Sequence, residues 1–331
     1  MIEPTPTVDA ETRCAVASVH FDARGGARLA GTVFEPLGEA SAGTVILHGS
    51  TATPAAYYRR FAEFLATGGV RVLTYDYRGV GGSRAGSLRG FHATMTDWAS
   101  HDASAAHAFV SHHFGDSPTA IVGHSFGGQL LGLAEGPADA KAIVLFGSQL
   151  GWYGHWPLAE RLRLGLLWRA LIPAVTSTVG YLPGRLGMGE DLPRGVAEEW
   201  ARWCMHPDYL FSEHPEARAG FARITAPVLA WSATDDDYAP RASVEGLVAE
   251  LGRAVVHHAR VRPRDVGASS VGHFGFFRPR FRQTLWRDTL AFLRAAVGGG
   301  PLPTPTATER RRHDWGIEMD DILADLRYGK D

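Results

Sequence analysis

One serine of the sequence lies in a pentapeptide that can make its hydroxyl a nucleophile. The segment Gly123-His124-Ser125-Phe126-Gly127 matches the pattern G-x-S-x-G and lies between a short apolar run and a predicted helix. A sharp strand-to-helix turn strains the backbone of its central residue, and small residues two positions before and after it prevent a clash. The N-terminus of the next helix favours the negative charge that develops when a serine attacks a carbonyl. The pattern therefore predicts Ser125 as the nucleophile of an acyl-transfer reaction.

A serine hydroxyl is a weak nucleophile until a base removes its proton, and the 15 histidines compete for that role. His273 stands in the loop from Val271 to Phe277, after the last predicted strand and before the last predicted helix. From such a loop a side chain can reach over the carboxyl edge of a parallel sheet. We predict that His273 is the base.

The base needs a carboxylate that fixes its tautomer and stabilises its charged form. Asp235, Asp236 and Asp237 follow the apolar run Pro227 to Trp231, where such a carboxylate would emerge from the sheet. We choose Asp236 ahead of Asp235, with Asp237 third; a solvated turn in which none of them is catalytic is the alternative.

The oxyanion of the reaction needs two N–H donors. One is predicted to be the N–H of Phe126, which follows the nucleophile. The other comes from the loop that contains Gly49, where we assign it to Ser50, with Thr51 as the fallback.

The elements that must position these residues alternate between strand and helix. Residues 13 to 36 alternate apolar and polar side chains and predict an antiparallel hairpin, whereas the later strands are short apolar runs without strict alternation, typical of strands covered on both faces. The predicted fold class is α/β, a doubly wound and mostly parallel sheet. The predicted strand runs are Thr44 to Leu47, Val70 to Tyr75, Ala120 to Val122, Lys141 to Phe146 and Pro227 to Trp231, and the predicted helices between them are Ala55 to Thr67, Trp98 to Phe114 and Gly127 to Glu135.

The alternation stops between residues 148 and 224, which predicts an inserted helical cap. The domain boundaries are therefore 1–147 and 225–297 for the two parts of the core, 148–224 for the cap, and 298–331 for a linker and tail. Trp152, Trp156 and Trp203 of the cap are candidate substrate contacts; packing in the core of the cap is the alternative for each.

The tail combines a Gly/Pro-rich linker with an amphipathic pattern. Trp315, Met319, Ile322, Leu323 and Leu326 would share one face of a helix, which could dock on the body of the protein or mediate homo-oligomerisation. A frayed acidic tail is the alternative.

Charge and cysteine content exclude several classes of function. Lys and Arg total 33 against 35 Asp and Glu, so the net charge is −2 and a nucleic-acid partner is not expected. Two cysteines are too few for a disulfide scaffold, and no secretory signal is found at the N-terminus, which together favour a cytoplasmic location. The apolar stretch from Leu164 to Leu182 contains Arg169 and Pro173, so a membrane span is not expected.

No cofactor or metal is expected. The segment from Gly79 to Arg84 begins like a dinucleotide fingerprint, but an arginine stands at the third glycine position. Neither a phosphate-binding G-x-x-x-x-G-K-[ST] motif nor a zinc-binding H-E-x-x-H motif is present.

Taken together, these residues resemble the α/β-hydrolase superfamily over about residues 20 to 296. The resemblance rests on His48-Gly49, Asp76 to Ser83, Gly123 to Gly127, Asp236 to Pro240 and Gly272-His273. More narrowly, Gly151 to Pro157, Gly184 to Pro193, Trp200 to Cys204 and Gly272 to Arg278 are similar to a bacterial subgroup of predicted serine hydrolases of unknown substrate. The resemblance implies acyl-enzyme chemistry without a cofactor and a cap at this insertion point. The chain order Ser125, Asp236, His273 is the order expected for this fold.

The predicted function is a serine hydrolase that cleaves an apolar acyl ester, thioester or amide of a small molecule. An acyltransferase would use the same three side chains and pass the acyl group to an alcohol or thiol. A non-catalytic ligand-binding or interaction module is a further alternative, because a fold alone does not guarantee catalysis.

Overall fold

The computed structural model describes residues 7–8, 14–38, 41–187 and 189–306. The strands, in chain order, are β1 Thr7–Val8, β2 Cys14–Ala23, β3 Ala27–Pro36, β4 Thr44–His48, β5 Arg71–Tyr75, β6 Thr119–His124, β7 Ala142–Phe146, β8 Tyr181–Leu182, β9 Leu192–Pro193, β10 Val228–Ala233 and β11 Val256–Val261.

Nine of these strands form one sheet in the order β1-β2-β3-β5-β4-β6-β7-β10-β11. The six strands from β5 to β11 in this order are parallel to one another, and β1, β2 and β3 pair antiparallel at the other side of the sheet. The predicted hairpin is the pair β2–β3, and each predicted apolar run is a strand whose bounds differ from the prediction by no more than two residues at either end. The predicted mostly parallel α/β sheet is confirmed.

Hydrophobic cores on both faces of the sheet explain why its central strands lack polar alternation. On β4, Ile46 belongs to one core, while Val45 and Leu47 belong to the other. The same alternation occurs on β6, where Ile121 points to the first core and Val122 to the second. Since successive side chains of a strand point to opposite faces, a sheet covered on both sides requires apolar residues at every position.

Helices cover both faces. The α-helices are α1 Arg59–Thr67, α2 Met95–Asp97, α3 Ser104–Phe114, α4 Phe126–Gln129, α5 Leu158–Leu166, α6 Ile172–Val179, α7 Arg194–Met205, α8 Ala217–Arg223, α9 Arg241–Glu250, α10 Gly272–Gly275 and α11 Arg287–Val297, with π-helical turns at Trp98–Ala103, Leu167–Leu171 and Arg282–Trp286.

The predicted helix from Gly127 to Glu135 is much shorter in the structure. It consists of α4 and a 3₁₀ turn over Leu130–Gly132. Glycines have low helix propensity, and the chain turns at Gly136, whose φ is 108°. The periodicity was therefore a poor guide to length here.

The inserted segment, residues 148–224, lies in the chain between β7 and β10 and is mainly helical, from α5 to α8. Strands β8 and β9 within it form a separate antiparallel pair. Helix α8 packs against the core at the turn after α4: the close approach is at Gly132 and Gly220, where a Cβ on either residue would overlap backbone atoms of the facing segment.

After α11 the chain returns along that helix. The N–H of Thr306 donates to Oδ2 of Asp288 at 2.6 Å. The predicted amphipathic pattern from Trp315 to Leu326 lies outside the described residues. Among the residues that the structure describes, no helix combines the length and the apolar character needed to cross a membrane.

Candidate active site

Ser125 occupies the turn between β6 and α4 with a backbone φ of 52° and ψ of −113°. A positive φ is uncommon for a residue with a side chain and persists only where the surrounding structure enforces it. Two hydrogen bonds hold the turn: the N–H of Ser125 donates to the carbonyl of Phe146 at 2.9 Å, and the N–H of Gly128 donates to the carbonyl of Ser125 at 3.0 Å. The strained turn predicted from the sequence is present, and Ser125 is its central residue.

The glycines around Ser125 are required by close backbone contacts. A Cβ on Gly123 would lie 2.7 Å from the carbonyl oxygen of Gly127, and a Cβ on Gly127 would overlap the carbonyl oxygen of His48. Helix α4 can therefore start directly against the end of β4 only because no side chain separates them.

His273 and Asp236 form a buried, hydrogen-bonded pair. Nδ1 of His273 lies 2.8 Å from Oδ2 of Asp236. The other carboxylate oxygen of Asp236 accepts the N–H groups of Tyr238 at 2.9 Å and Ala239 at 3.0 Å. Because an ionised carboxylate only accepts hydrogen bonds, the proton is on Nδ1 of His273, and Nε2 keeps the lone pair that a base needs.

The three adjacent aspartates have three different environments. The carboxylate of Asp235 accepts the N–H groups of Val271 at 2.9 Å and Gly272 at 3.1 Å, so it anchors the loop before His273. Asp236 contacts the imidazole. The carbonyl of Asp237 accepts Nε1–H of Trp156 at 2.8 Å. Among the three, the structure brings Asp236 to the histidine.

The turn that holds Ser125 is joined to the histidine loop by the preceding residue, His124. Nε2 of His124 lies 2.9 Å from the carbonyl oxygen of His273, and the two imidazole rings are 5.0 Å apart between centroids. Chain positions separated by almost 150 residues thus meet at the carboxyl edge of the sheet.

The N–H groups of the two predicted oxyanion donors, Phe126 and Ser50, differ in whether they already have a hydrogen-bond partner. Phe126 is the first residue of α4, where N–H groups have no partner within the helix. The N–H of Ser50, in contrast, donates to the hydroxyl of Tyr58 at 2.8 Å. An N–H that is already donated to a buried hydroxyl is not free for an oxyanion, so we move the second donor from Ser50 to the fallback, Thr51.

Of the three candidate tryptophans, two are half-buried and one is not accessible. Trp152 and Trp156 retain exposed surface, and Trp156 contacts the loop of the aspartates. Trp203 is 0 % exposed and packs against Tyr209 and His214 with ring centroids 5.7 and 5.9 Å apart. We therefore withdraw Trp203 as a substrate contact, because a side chain enclosed in the core presents no surface to a ligand.

Aromatic side chains surround the imidazole of His273. The ring of Tyr238 lies 5.3 Å from it and is 56 % exposed, and the ring of Phe274 lies 5.1 Å from it in an edge-on orientation. This apolar environment next to a polar pair is typical of small-molecule sites. Tyr238 is not among the residues predicted above; its place directly after the three aspartates is the sequence signal that could have identified it.

A separate open groove of about 480 Å³ lies on the inserted segment, lined in part by Trp168, Pro173 and Met205. Neither Ser125 nor His273 lines it. The groove is therefore distinct from the candidate site around Ser125 and His273.

One group of side chains within the described residues has the spacing of metal ligands: Glu199, Glu213 and His214. Glu199 already accepts the N–H of Thr96 at 2.9 Å and its hydroxyl at 2.8 Å, and Glu213 accepts two bonds from the guanidinium of Arg202. Because both carboxylates are engaged, we assign no metal to this group.

Behind the loop of Gly49, two imidazoles are buried together. Nε2 of His48 lies 3.2 Å from Nε2 of His107, and Nδ1 of His48 lies 2.8 Å from the hydroxyl of Tyr75. Burial lowers the pKa of His107 to about 4, and burial together with the neighbouring His107 lowers the pKa of His48 well below its usual value. Both rings are therefore neutral at pH 7, and the contacts of His48 with Tyr75 and His107 are structural.

Because these histidines are buried in the neutral form, we expect the folded protein to lose stability at acidic pH. Since the pKa of His107 is lower in the folded chain than in the unfolded chain, the unfolded state binds more protons between about pH 6.5 and 4, and stability is lost as the pH falls through that range. We expect His107→Gln to reduce the slope of unfolding free energy against pH by up to about 1.4 kcal/mol per pH unit, measured by urea unfolding from pH 4.5 to 7.5. The exposed His112→Gln is the control and should leave the slope unchanged; equal slopes in wild type and His107→Gln would contradict the prediction.

Comparisons with known proteins identify the family and the fold of the chain. The model of the alpha/beta hydrolase family matches residues 44–282. A search of curated proteins found no match. Solved structures with a similar fold include a cold-adapted esterase from an Arctic intertidal metagenomic library (15 % identity, 89 % of this chain and 99 % of that chain covered, TM-score 0.52). An esterase of Pyrococcus furiosus (14 % identity, 91 % and 98 % covered, TM-score 0.53) and a haloalkane dehalogenase of Bradyrhizobium elkani (13 % identity, 86 % and 100 % covered, TM-score 0.56) are also similar. At such low identity the solved structures show the fold alone, whereas the family model covers most of the chain. The chain therefore belongs to the alpha/beta hydrolase family.

Proposed function

We propose that the protein is a serine hydrolase that cleaves an acyl ester, thioester or amide of an apolar small molecule through an acyl-enzyme. The observation that carries the proposal is the buried Asp236–His273 pair, joined through His124 to the strained turn at Ser125. A carboxylate, an imidazole and a strained serine are the parts that nucleophilic acyl transfer requires.

The proposed reaction has two halves. Nε2 of His273 takes the proton of the Ser125 hydroxyl as its oxygen attacks the carbonyl carbon, and Asp236 stabilises the imidazolium through Nδ1–H. The N–H groups of Phe126 and Thr51 bind the oxyanion. The imidazolium then protonates the leaving alcohol, thiol or amine as its bond to the acyl carbon breaks, which leaves the acyl group on Ser125. In the second half, His273 takes a proton from water, hydroxide adds to the acyl carbon, and the Ser125 oxygen leaves with the proton from His273.

We also propose that residues 148–224 form a cap over this site. Two hydrogen bonds connect the segment to the core, one at the residue after Asp236 and one on α4, the helix that follows Ser125. Nε1–H of Trp156 donates to the carbonyl of Asp237 at 2.8 Å, and the hydroxyl of Tyr209 donates to Oε1 of Gln129 on α4 at 2.9 Å. The half-buried Trp152 and Trp156 and the exposed ring of Tyr238 support an apolar or aromatic acyl group.

Fluorophosphonate labelling tests the proposal directly. We expect mass spectrometry to find one label on the wild-type chain, attached to Ser125, and none on Ser125→Ala, because the reagent reacts with a serine only when a base activates it. Ser177→Ala, which removes an exposed serine of α6, is the control and should label like the wild type. Labelling of Ser125→Ala to the same extent as wild type would remove the serine from the mechanism.

A further inference from the structure

We propose that Tyr58 and His124 are positioning residues that connect the oxyanion loop to the backbone of the base through one continuous chain of hydrogen bonds. The proposal rests on the proposed function. Its geometry consists of three contacts: the N–H of Ser50 to the hydroxyl of Tyr58 at 2.8 Å, that hydroxyl to Nδ1 of His124 at 2.8 Å, and Nε2 of His124 to the carbonyl of His273 at 2.9 Å.

The two ends of this chain of hydrogen bonds, a backbone N–H and a carbonyl oxygen, fix the position of every proton in it. A backbone N–H can only donate and a carbonyl oxygen can only accept. Nε2 of His124 must therefore carry a proton, since two lone pairs would otherwise face each other at 2.9 Å. Burial, and the nearby His273, lower the pKa of His124 well below its usual value, so the ring is neutral and its Nδ1 is a lone pair. Tyr58 thus accepts from Ser50 and donates to His124.

The surroundings of these bonds are mainly aromatic, and the side chain of Thr53 is a further polar neighbour of the Tyr58 hydroxyl. Tyr58 and His124 are both 0 % exposed. The ring of Phe277 packs edge-on against Tyr58 at 4.8 Å and in a tilted orientation against His124 at 4.9 Å. Phe274 packs edge-on against His124 at 5.5 Å. A polar group that loses its partner in such surroundings still bears the full free-energy cost of its desolvation. Breaking any of these bonds is therefore costly, and the chain of hydrogen bonds is rigid.

A second tyrosine supports the same loop. The hydroxyl of Tyr57, next to Tyr58 in the chain, donates to the carbonyl of Phe274. Two successive carbonyls of the histidine loop, those of His273 and Phe274, are therefore held by the side chains of His124 and Tyr57. Because the backbone of His273 sets where its Nε2 lies, a loss of either bond displaces the base from Ser125.

The consequence for catalysis is specific. Tyr58 and His124 touch neither the substrate nor the reacting atoms, so their effect should appear in the chemical step rather than in substrate binding. Displacement of a reacting group by about 1 Å can cost on the order of 100-fold in rate.

The test compares Tyr58→Phe with Thr289→Val in the full-length protein. Thr289 is equally buried and lies away from the site. Its hydroxyl accepts Nε1–H of Trp231 at 3.1 Å, so removal of that hydroxyl also leaves one buried donor unpaired. With a p-nitrophenyl ester, we expect Tyr58→Phe to lower kcat by about 10- to 100-fold with KM within about threefold of wild type, and to slow fluorophosphonate labelling to a similar degree. Thr289→Val should lower Tm by a similar amount and leave kcat within about twofold. Equal kcat values in the two variants would overturn the proposal.

Substitutions of His124 provide a second test of the positioning role. Glutamine can accept from Tyr58 and donate to the carbonyl of His273, whereas leucine can do neither. We expect His124→Gln to retain at least several-fold more kcat than His124→Leu; equal losses would contradict the positioning role.

A spectroscopic readout separates this proposal from the proposed function. In ¹⁵N-histidine-labelled wild-type protein at pH 7, we expect His124 as the neutral tautomer protonated at Nε2, and a shifted Nδ1 resonance in Tyr58→Phe. A proton on Nδ1 of His124 would overturn the chain of bonds even in an active enzyme. If fluorophosphonate did not label Ser125 of the wild-type protein, the proposed function would be contradicted, but this spectroscopic result would stand.

Discussion

Replacing Asp236 by asparagine is expected to lower kcat by about 10⁴-fold while the protein stays folded. Asparagine has nearly the shape of aspartate, and its carbonyl oxygen can still accept an N–H from Tyr238 or Ala239. Its amide nitrogen, however, favours the wrong tautomer of His273 and provides no charge to stabilise an imidazolium. Steady-state hydrolysis of an activated ester measures the effect, and circular dichroism checks the fold.

The adjacent aspartates are matched controls for this prediction. Asp235→Asn loses one of its two loop bonds, to Val271 or Gly272, so we expect a loss of stability of about 1–3 kcal/mol and a far smaller loss of kcat. Asp237→Asn leaves the backbone carbonyl that Trp156 contacts and should change kcat little. If Asp235→Asn were the variant that lost activity 10⁴-fold and Asp236→Asn kept it, the assignment of the carboxylate would be wrong.

Gly127→Ala is expected to lower the free energy of unfolding by more than about 3 kcal/mol, or to prevent accumulation of soluble protein. The added methyl would overlap the carbonyl oxygen of His48, so a backbone segment rather than a flexible side chain must move. Overpacking commonly costs about 1–3 kcal/mol, and relief through the backbone adds to that cost. Urea unfolding measures the loss, and any folded fraction should hydrolyse esters slowly, because the displaced loop contains the proposed oxyanion donor Thr51.

Gly86→Ala is the matched control for this substitution. An added Cβ at Gly86 meets no atom within 4 Å, so the change should alter stability by no more than about 0.5 kcal/mol. If Gly127→Ala were as stable and active as Gly86→Ala, the close contact between α4 and β4 would not be a constraint on this turn.

The parallel sheet could be predicted because its signal is local. On β4 and β7 every residue is buried, and an apolar run such as Ile143 to Phe146 indicates a strand covered on both faces when helices alternate with it along the chain. The turn at Ser125 was predictable for the same reason, since the glycines that it requires stand within two residues of it. Helix lengths were less predictable, as the short α4 shows, because tertiary contacts and glycine content ended it early.

Other features depend on contacts between distant parts of the chain. The sequence contains no signal that Nε2 of His124 lies against the carbonyl of His273, because these residues are 149 positions apart and meet only in the folded chain. The burial of Trp203 likewise follows from how α7 packs in the inserted segment. The choice among three neighbouring aspartates needed the direction of each carboxylate, which differs although their sequence context is nearly the same.

The sequence by itself determined the fold class, the strained serine turn and the loops from which a base and a carboxylate would have to come, because periodicity and glycine spacing are local properties of the chain. Only the tertiary structure decided which carboxylate contacts His273, which N–H groups are already engaged, and that Tyr58 and His124 connect the loops. Hydrogen bonds are directional and short, so these assignments depend on differences of less than about 1 Å between segments that are far apart in the chain.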